Sequence, residues 1–469
     1  MQSRAMGIIS FLIIMLVLLS ACGRGYEPYA NEDPPVYENH TGAEVHDYHT
    51  EAEKIIIPQP TPIPGPLPLT DVFRSGLTRA QYLEDLNYLY EVFKYNFALF
   101  QPLYRRHGVD LHELFQNAIH RVETADINDL RPRNAFIGHH GVLRTEIFNY
   151  INGFGHVALL DDGDVRFRLA LFSSEDENNP FAPFVDVIDN PATRRFYNLT
   201  DADFESGGAH QSRFLQPRAG NVETRIVEEG RIAHVRIRQM CGSSMEQDYP
   251  LLIEFFESVA DYEHLIIDIR GNGGGHSLYF PNLVIAPNIN ETLHYNFYWF
   301  LMAGEHNMRF LRPFIERGYM QPFSPTHPAL FDSLPYFHPH DRENLDYYMR
   351  ISGEIHPSRD QAIFGSKIWM LINRANFSAS EYAAFVVRET NFATLVGEPT
   401  GGGGIGTNPT ILALPNTGII IQYQTIYGTC FEGRNSYEYG TVPHVLNFEG
   451  HDALRTVLAL IEEGDWQTN

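Results

Sequence analysis

Residues 367–388, KIWMLINRANFSASEYAAFVVR, decide the fold of this protein. The apolar run KIWMLI at 367–372 predicts a buried strand, and the stretch that opens at Glu381 predicts a helix. A polar turn joins them and carries Ser378. A serine at such a turn is exposed at the top of a sheet with a helix N-terminus beneath it, where backbone N–H groups and the helix dipole favour a developing negative charge. Taken alone, Ser378 could equally be a helix cap.

The sequence around this stretch alternates between predicted strands and helices. We predict strands at 231–238 (RIAHVRIR), 264–269 (HLIIDI) and 393–396 (ATLV), with a helix at 249–259. This alternation is typical of a largely parallel sheet covered by helices, and it assigns residues 226–465 to one α/β domain. A long aromatic-rich segment, about 285–360, must cross over between two central strands, and it is large enough to be a lid or a wall of a substrate cleft.

The first 22 residues predict an export signal. Arg4 precedes a short apolar run that ends in Leu19-Ser-Ala-Cys22. The run is too short for a comfortable membrane span. Its ending resembles the bacterial lipobox, which implies cleavage before Cys22 and lipidation of its thiol; an ordinary signal peptide or a single anchor helix are the alternatives. We therefore expect an extracytoplasmic lipoprotein held at a bacterial membrane.

Composition narrows the remaining possibilities. The formal charge is −24, from 34 Lys and Arg against 58 Asp and Glu, and this balance disfavours nucleic-acid binding. Residues 23–69 are acidic and then proline-rich, which predicts an extended linker. Helical spacing of apolar residues predicts a helical domain over 70–156, opened by a Thr78–Gln81 capping box. Residues 157–225, with β-like runs among polar turns, are predicted to be a β-rich connector.

Two further motifs carry residue types suited to catalysis. The sequence DIRGNGGG at 268–275 follows a predicted strand, and consecutive glycines there let backbone N–H groups approach a ligand closely. The sequence GFGHV at 153–157 places His156 at the end of the helical domain, where it could act as a general base. Each motif alone has an ordinary structural explanation, as a tight turn or a structural histidine.

The order of these motifs is more specific than any one of them. Gly-His, then Asp-x-Arg-x-Asn-x-Gly-Gly, Ser-Ala-Ser-Glu and VGEPTGG at 396–402 together resemble the tail-specific (C-terminal-processing) and tricorn-like serine peptidases, over about residues 75–465. The resemblance implies a crotonase- or Clp-protease-like catalytic domain. It also implies that Ser378, rather than Ser380, is the nucleophile, with the N–H groups of Ala379 and most plausibly Gly274 as oxyanion donors.

The same resemblance identifies which branch of the family applies. The processing-peptidase branch uses a lysine 25 residues after the serine, but position 403 is glycine here. The tricorn-like branch instead uses a histidine base, which matches His156, and a late glutamate, which matches Glu438. The loop after Glu438 has His444 where the family has aspartate, so Glu432 is kept as the reserve candidate.

These residues predict a serine peptidase that acts on peptides or unfolded proteins without a cofactor. No metal site is expected, because His139-His140 and His338-Pro-His340 lack carboxylate or cysteine ligands at suitable spacing. The missing lysine and the altered late loop also leave open a catalytically silent, peptide-binding or scaffold protein on the same fold. A hydrolase that acts on esters is the third alternative.

Overall fold

The computed structural model describes residues 77–126, 141–173, 179, 181–205, 220–325 and 328–464. The predicted signal peptide (1–22), the lipidation residue Cys22, the linker (23–69) and the pair His139-His140 lie outside these residues. Within the described ranges, none of the helices is both long enough and apolar enough to span a membrane.

The helices of the described part are distributed along the whole chain. In order they are α1 (Arg79–Asn96), α2 (Phe100–His107), α3 (Leu111–Thr124), α4 (Asp162–Phe172), α5 (Ala182–Ile188), α6 (Pro191–Tyr197), α7 (Met245–Ser258), α8 (Glu305–Glu316), α9 (Pro328–Asp332), α10 (Ala379–Thr390), α11 (Ser436–Tyr439) and α12 (Ala453–Glu463). Shorter helical turns include Leu143–Phe148, Asn149–Ile151, Phe154–His156 and Pro339–Asn344.

The strands form three sheets. They are β1 (Ala158–Leu159), β2 (Val222–Glu228), β3 (Ile232–Ile237), β4 (His264–Asp268), β5 (Leu293–Leu301), β6 (Gln321–Pro322), β7 (Tyr347–Ile355), β8 (Lys367–Ile372), β9 (Thr394–Gly397), β10 (Thr410–Ala413), β11 (Ile420–Tyr423), β12 (Ile426–Cys430) and β13 (Val445–Leu446). The sheet orders are β13-β9-β8-β4-β3-β2, β12-β5-β7-β6 and β1-β11-β10.

The six-stranded sheet is the one predicted from the sequence. Strands β3, β4, β8, β9 and β13 are parallel, and β2 pairs antiparallel at the edge. The central strands are almost wholly buried, because helices cover both faces of a parallel sheet. The α/β fold with a helical N-terminal part is confirmed. Since parallel strands end at the same edge, β4 and β8 deliver the glycine turn and Ser378 to one place.

The helical front begins where the capping box predicted. The Thr78 side chain accepts the N–H of Gln81, and the Gln81 side chain accepts the N–H of Thr78. Phe93 of α1 then packs on Tyr423 of β11, with ring centroids 5.3 Å apart. The apolar face of the helical front is therefore continuous with the core around β10, β11 and β12.

The expected β-rich connector over 157–225 is wrong for most of its described residues. Helices α4, α5 and α6 lie there, and Val165–Phe172, one of the β-like runs of this segment, belongs to α4. The reason is local capping: Asp161 and Asp164 form a reciprocal capping box at the start of α4, and the Asn190 side chain caps α6 before a proline. Among the described residues of this segment, only β1 and the start of β2 form strands.

The 285–360 segment is part of the folded body. It supplies β5, β6 and β7, and β5 pairs with β12 from the later chain. The Tyr295 hydroxyl of β5 lies 2.7 Å from the Tyr382 hydroxyl of α10. The segment thus supports the helix that follows Ser378.

Candidate active site

Ser378 lies on the turn between β8 and α10, as predicted, in an unusual backbone conformation. Its φ is 57° and its ψ is −125°, a region that non-glycine residues rarely occupy. Neighbouring groups hold it there: the Ser378 N–H donates to the Gly402 carbonyl over 3.1 Å, and the Asn376 side chain donates to the Ile269 carbonyl over 2.6 Å. Strain that the surroundings enforce in this way is typical of functional sites.

Ser380 has a different task, which supports the choice of Ser378. The Ser380 side chain is fully buried. Its hydroxyl donates to the Asn272 carbonyl and accepts the Phe377 N–H over 3.0 Å. Ser380 therefore ties the serine turn to the glycine turn, and its hydroxyl is not available for catalysis.

The glycine turn presses against the serine turn. A Cβ at Gly274 would lie 2.9 Å from the Ser378 Cβ and 2.8 Å from the Ala379 nitrogen, and a Cβ at Gly275 would lie 2.1 Å from the Met240 carbonyl oxygen. Such approaches exclude any side chain. The sequence prediction that these glycines allow close backbone approach agrees with this geometry.

The two predicted oxyanion donors differ in this structure. The Ala379 N–H, at the first position of α10, has no hydrogen-bond acceptor among the described residues. The Gly274 N–H donates to the Asn272 side-chain oxygen over 2.9 Å, so it is already engaged. The structure therefore corrects the assignment of Gly274. The missing side chain of Gly274 lets the serine turn approach, whereas the free N–H donor is that of Ala379.

His156 meets Ser378 although 222 residues separate them. Its Nε2 lies 3.1 Å from the Ser378 Oγ. The turn that carries His156 is wedged between the helical front and β11. A Cβ at Gly155 would lie 2.5 Å from the Phe97 ring. The Gly155 carbonyl accepts the Gln424 N–H over 2.7 Å. Contacts with the helical front and with the residue that follows β11 thus fix the position of the histidine.

Aromatic rings surround the His156 imidazole. The Phe377 ring lies 4.7 Å from it and the Tyr437 ring 5.7 Å, between centroids. Burial among these rings lowers the pKa of His156 to about 4, because desolvation penalises the imidazolium. His156 is consequently neutral, as a general base must be, across the physiological pH range.

Glu438 does not contact His156, and the structure corrects this assignment as well. Its two carboxylate oxygens accept hydrogen bonds from Arg105, each at 2.7 Å. Arg105 also donates to Asp341 over 2.6 Å. The reserve candidate Glu432 is largely exposed and pairs with Arg434. The group at the Nδ1 of His156 is the Tyr437 hydroxyl, at hydrogen-bond contact.

The glycine at position 403 also has a spatial explanation. Its φ is 80°, and a Cβ there would lie 2.8 Å from the Phe377 ring and 2.9 Å from the Tyr437 ring. A lysine side chain starting at this point would collide with both rings. Aromatic side chains thus occupy the space in which the family's dyad lysine would have to begin.

Sequence reasoning missed Tyr437, Arg105 and Arg106. Tyr437 directly precedes Glu438 in the sequence, and the glycine at position 403 is a signal that bulky side chains pack near the histidine. Nothing in the sequence distinguishes the two arginines from others of the helical front, because their partners lie about 300 residues away in the chain.

Within the described residues, there is no cluster of three or more His, Cys, Asp or Glu side chains that could hold a metal ion. His338 and His340 lie side by side, with ring centroids 5.4 Å apart. The groups that the site brings together are a serine hydroxyl, an imidazole and a backbone N–H.

Comparisons with known proteins concern the family and the fold. Residues 231–446 match the model of peptidase family S41. A crystal structure of a CPAF mutant is similar over 83% of this chain and 99% of its own, with 16% identity and a TM-score of 0.50. A putative peptidase from Parabacteroides merdae is similar over 81% of this chain and 95% of its own, with 18% identity and a TM-score of 0.47. No curated protein matches the sequence.

Proposed function

We propose that Ser378 and His156 cleave peptide bonds, on the premise that the chain is a serine-type peptidase whose residues 231–446 match peptidase family S41 and whose α/β fold is Clp-protease-like. One observation carries the proposal: the 3.1 Å contact between the Ser378 Oγ and the His156 Nε2. The matched family residues include Ser378 but not His156, which the fold brings in from the helical front.

The chemistry follows from the geometry. The Nε2 of neutral His156 takes the proton of the Ser378 hydroxyl as the Oγ attacks the carbonyl carbon of the substrate. The Ala379 N–H donates to the oxyanion that forms, and α10 adds its N-terminal dipole. His156 then protonates the leaving amine, and water releases the acyl group by the reverse sequence. The substrate class is a peptide or an unfolded protein, as the family implies.

Active-site labelling tests the proposal. A fluorophosphonate probe should modify wild-type protein at Ser378, and the variants Ser378→Ala and His156→Ala should lose both the label and peptide hydrolysis. An exposed serine serves as the matched control, and Ser352→Ala on β7 should label and cleave normally. Unchanged peptide cleavage by Ser378→Ala would overturn the proposal. A native protein that takes no label would favour the catalytically silent alternative, and activity on esters alone would favour the esterase.

We also propose that a lipid on Cys22 anchors the protein outside the cytoplasm of a bacterial cell. The support is the lipobox-like sequence Leu19-Ser-Ala-Cys22, followed by a long proline-rich segment that could act as a spacer. The test is expression of the full chain with Cys22→Ala, followed by fractionation. The wild-type protein should sediment with membranes and extract with detergent. A variant that stays in the membrane fraction would contradict the lipid anchor.

A further inference from the structure

A tyrosine hydroxyl contacts the His156 imidazole on the side away from Ser378. We propose, resting on the function proposed above, that Tyr437 takes the place of the triad carboxylate and positions His156 through a neutral hydroxyl. The observation behind this is the hydrogen bond between the Tyr437 hydroxyl and the His156 Nδ1, on the side of the ring opposite the Ser378 contact. A group at Nδ1 orients the ring and decides which nitrogen carries hydrogen.

Tyr437 is held rigidly. Its side chain is 1% exposed, and its N–H donates to the Asn435 side chain at the start of α11 over 3.0 Å. The Gln424 side chain lies near the Tyr437 hydroxyl, where its influence lowers the pKa of the phenol against the larger rise caused by burial. Gln424 is fixed in turn, because its oxygen accepts the Ile426 N–H over 3.0 Å and its nitrogen donates to the Thr407 carbonyl over 2.7 Å. The hydroxyl therefore has a defined place before any substrate binds.

The helical front locks the element that carries Tyr437. Arg106 donates to the Tyr437 carbonyl and, over 3.1 Å, to the Gly401 carbonyl. Arg105 binds Glu438, the next residue of α11. Glu438, which the family resemblance assigns as the partner of the histidine, thus helps to fix α11, the short helix that carries Tyr437. We call Arg105, Arg106 and Glu438 the α11 clamp.

A hydroxyl can perform the orienting task without changing its charge. In the reactive tautomer the Nδ1 carries hydrogen and donates to the Tyr437 oxygen, which leaves the Nε2 lone pair for the serine proton. When His156 becomes an imidazolium, both of its N–H groups then have acceptors. Burial raises the pKa of Tyr437, so the phenol keeps its proton throughout.

A hydroxyl differs from a carboxylate in two respects. It stabilises the imidazolium by a dipole instead of a full charge, so the histidine remains a weak base. It can also donate to the Nδ1, and the hydrogen of the imidazole would then be on the Nε2, which could no longer accept the serine proton. We therefore expect this site to be slower than one with a carboxylate, and to keep its base unprotonated in mildly acidic solution.

The test compares Tyr437→Phe with Tyr439→Phe on the full chain. Phenylalanine fills the same space as the Tyr437 ring, and Tyr439→Phe removes a hydroxyl from the same short helix. With active sites counted by fluorophosphonate titration, Tyr437→Phe should lower kcat about 10- to 100-fold, the usual cost of an unsatisfied buried donor, with KM unchanged. Its acid limb of kcat/KM should move to lower pH, because the imidazolium has lost an acceptor. Tyr439→Phe should match wild type.

The outcomes separate this inference from the function on which it rests. If Ser378→Ala is inactive but Tyr437→Phe keeps wild-type kcat and pH profile, the positioning role of Tyr437 is wrong and the peptidase assignment stands. If Ser378→Ala remains active, both fall. A loss of titratable sites in Tyr437→Phe, with normal kcat per remaining site, would indicate a purely structural tyrosine and would also overturn the inference.

Discussion

Replacing Gly274 with alanine should separate the cost of backbone strain from the cost of blocking the site. The Gly274 φ is 102°, and an added Cβ would lie 2.6 Å from the Phe377 carbonyl oxygen and 2.8 Å from the Ala379 nitrogen. Both are backbone atoms that cannot swing aside. Gly271, the fourth residue of the same motif (268–275), offers a matched control: its φ is 79°, and nothing lies within 4 Å of its added Cβ.

The magnitudes follow from these contacts. Alanine at a positive φ costs about 1–2 kcal/mol at either position. Overpacking at Gly274 adds about 1–3 kcal/mol, so Gly274→Ala should lose about 2–5 kcal/mol of unfolding free energy against about 1–2 kcal/mol for Gly271→Ala. The methyl group would also stand over the Ala379 N–H. Losing one oxyanion donor lowers kcat about 100- to 1000-fold.

Thermal unfolding and steady-state kinetics on one peptide substrate measure both effects. Gly271→Ala should show a small fall in Tm and near-normal kcat/KM. Gly274→Ala should show the larger fall in Tm and the loss of kcat in the protein that remains folded. If Gly274→Ala retains kcat/KM within about threefold of Gly271→Ala, well short of the loss of a donor, the Ala379 N–H is not an oxyanion donor at this place.

Four further predictions concern the surroundings of the site. Because the pKa of His156 is lowered to about 4, the base form of the imidazole survives acidification. We therefore expect kcat/KM of the folded protein to stay level from pH 7 to about pH 5 before it falls. A decline already centred near pH 6.5 would show an ordinary solvated histidine. Between pH 6.5 and pH 4, the unfolded chain binds a proton at His156 and the folded chain does not. The contribution of His156 to stability should therefore decrease as the pH falls, which is measurable as a lower denaturation midpoint at pH 5 than at pH 7. Glu438→Gln should lower the unfolding free energy by about 1–3 kcal/mol, because Arg105 loses one charged partner and keeps Asp341, and kcat should fall with it. Exposed Glu432→Gln should change neither quantity. Ser380→Ala should lower Tm yet keep fluorophosphonate labelling at Ser378, and a loss of labelling in well-folded Ser380→Ala protein would reverse the roles given to the two serines.

Much of the catalytic domain could be predicted from local pattern. KIWMLI is strand β8 with the predicted bounds, and His264–Ile269 differs from β4 by one residue. Such runs succeed because a buried parallel strand needs continuous apolar side chains whatever surrounds it. The run Val165–Phe172 failed for the opposite reason: its apolar residues suit either a strand or a helix, and the Asp161 cap decided the outcome.

By itself, the sequence singled out Ser378, His156 and the glycine turn as candidates that the structure brings together, because each belongs to a motif whose residue type is required by chemistry or by backbone geometry. It could not determine the partner of His156. The partner depends on which side chain of residues 435–440, the segment that contains α11, faces the imidazole. Arg105 of the helical front binds Glu438 and keeps its carboxylate from His156. Only the tertiary structure brings the arginine and the loop together, and it leaves Tyr437 at the Nδ1.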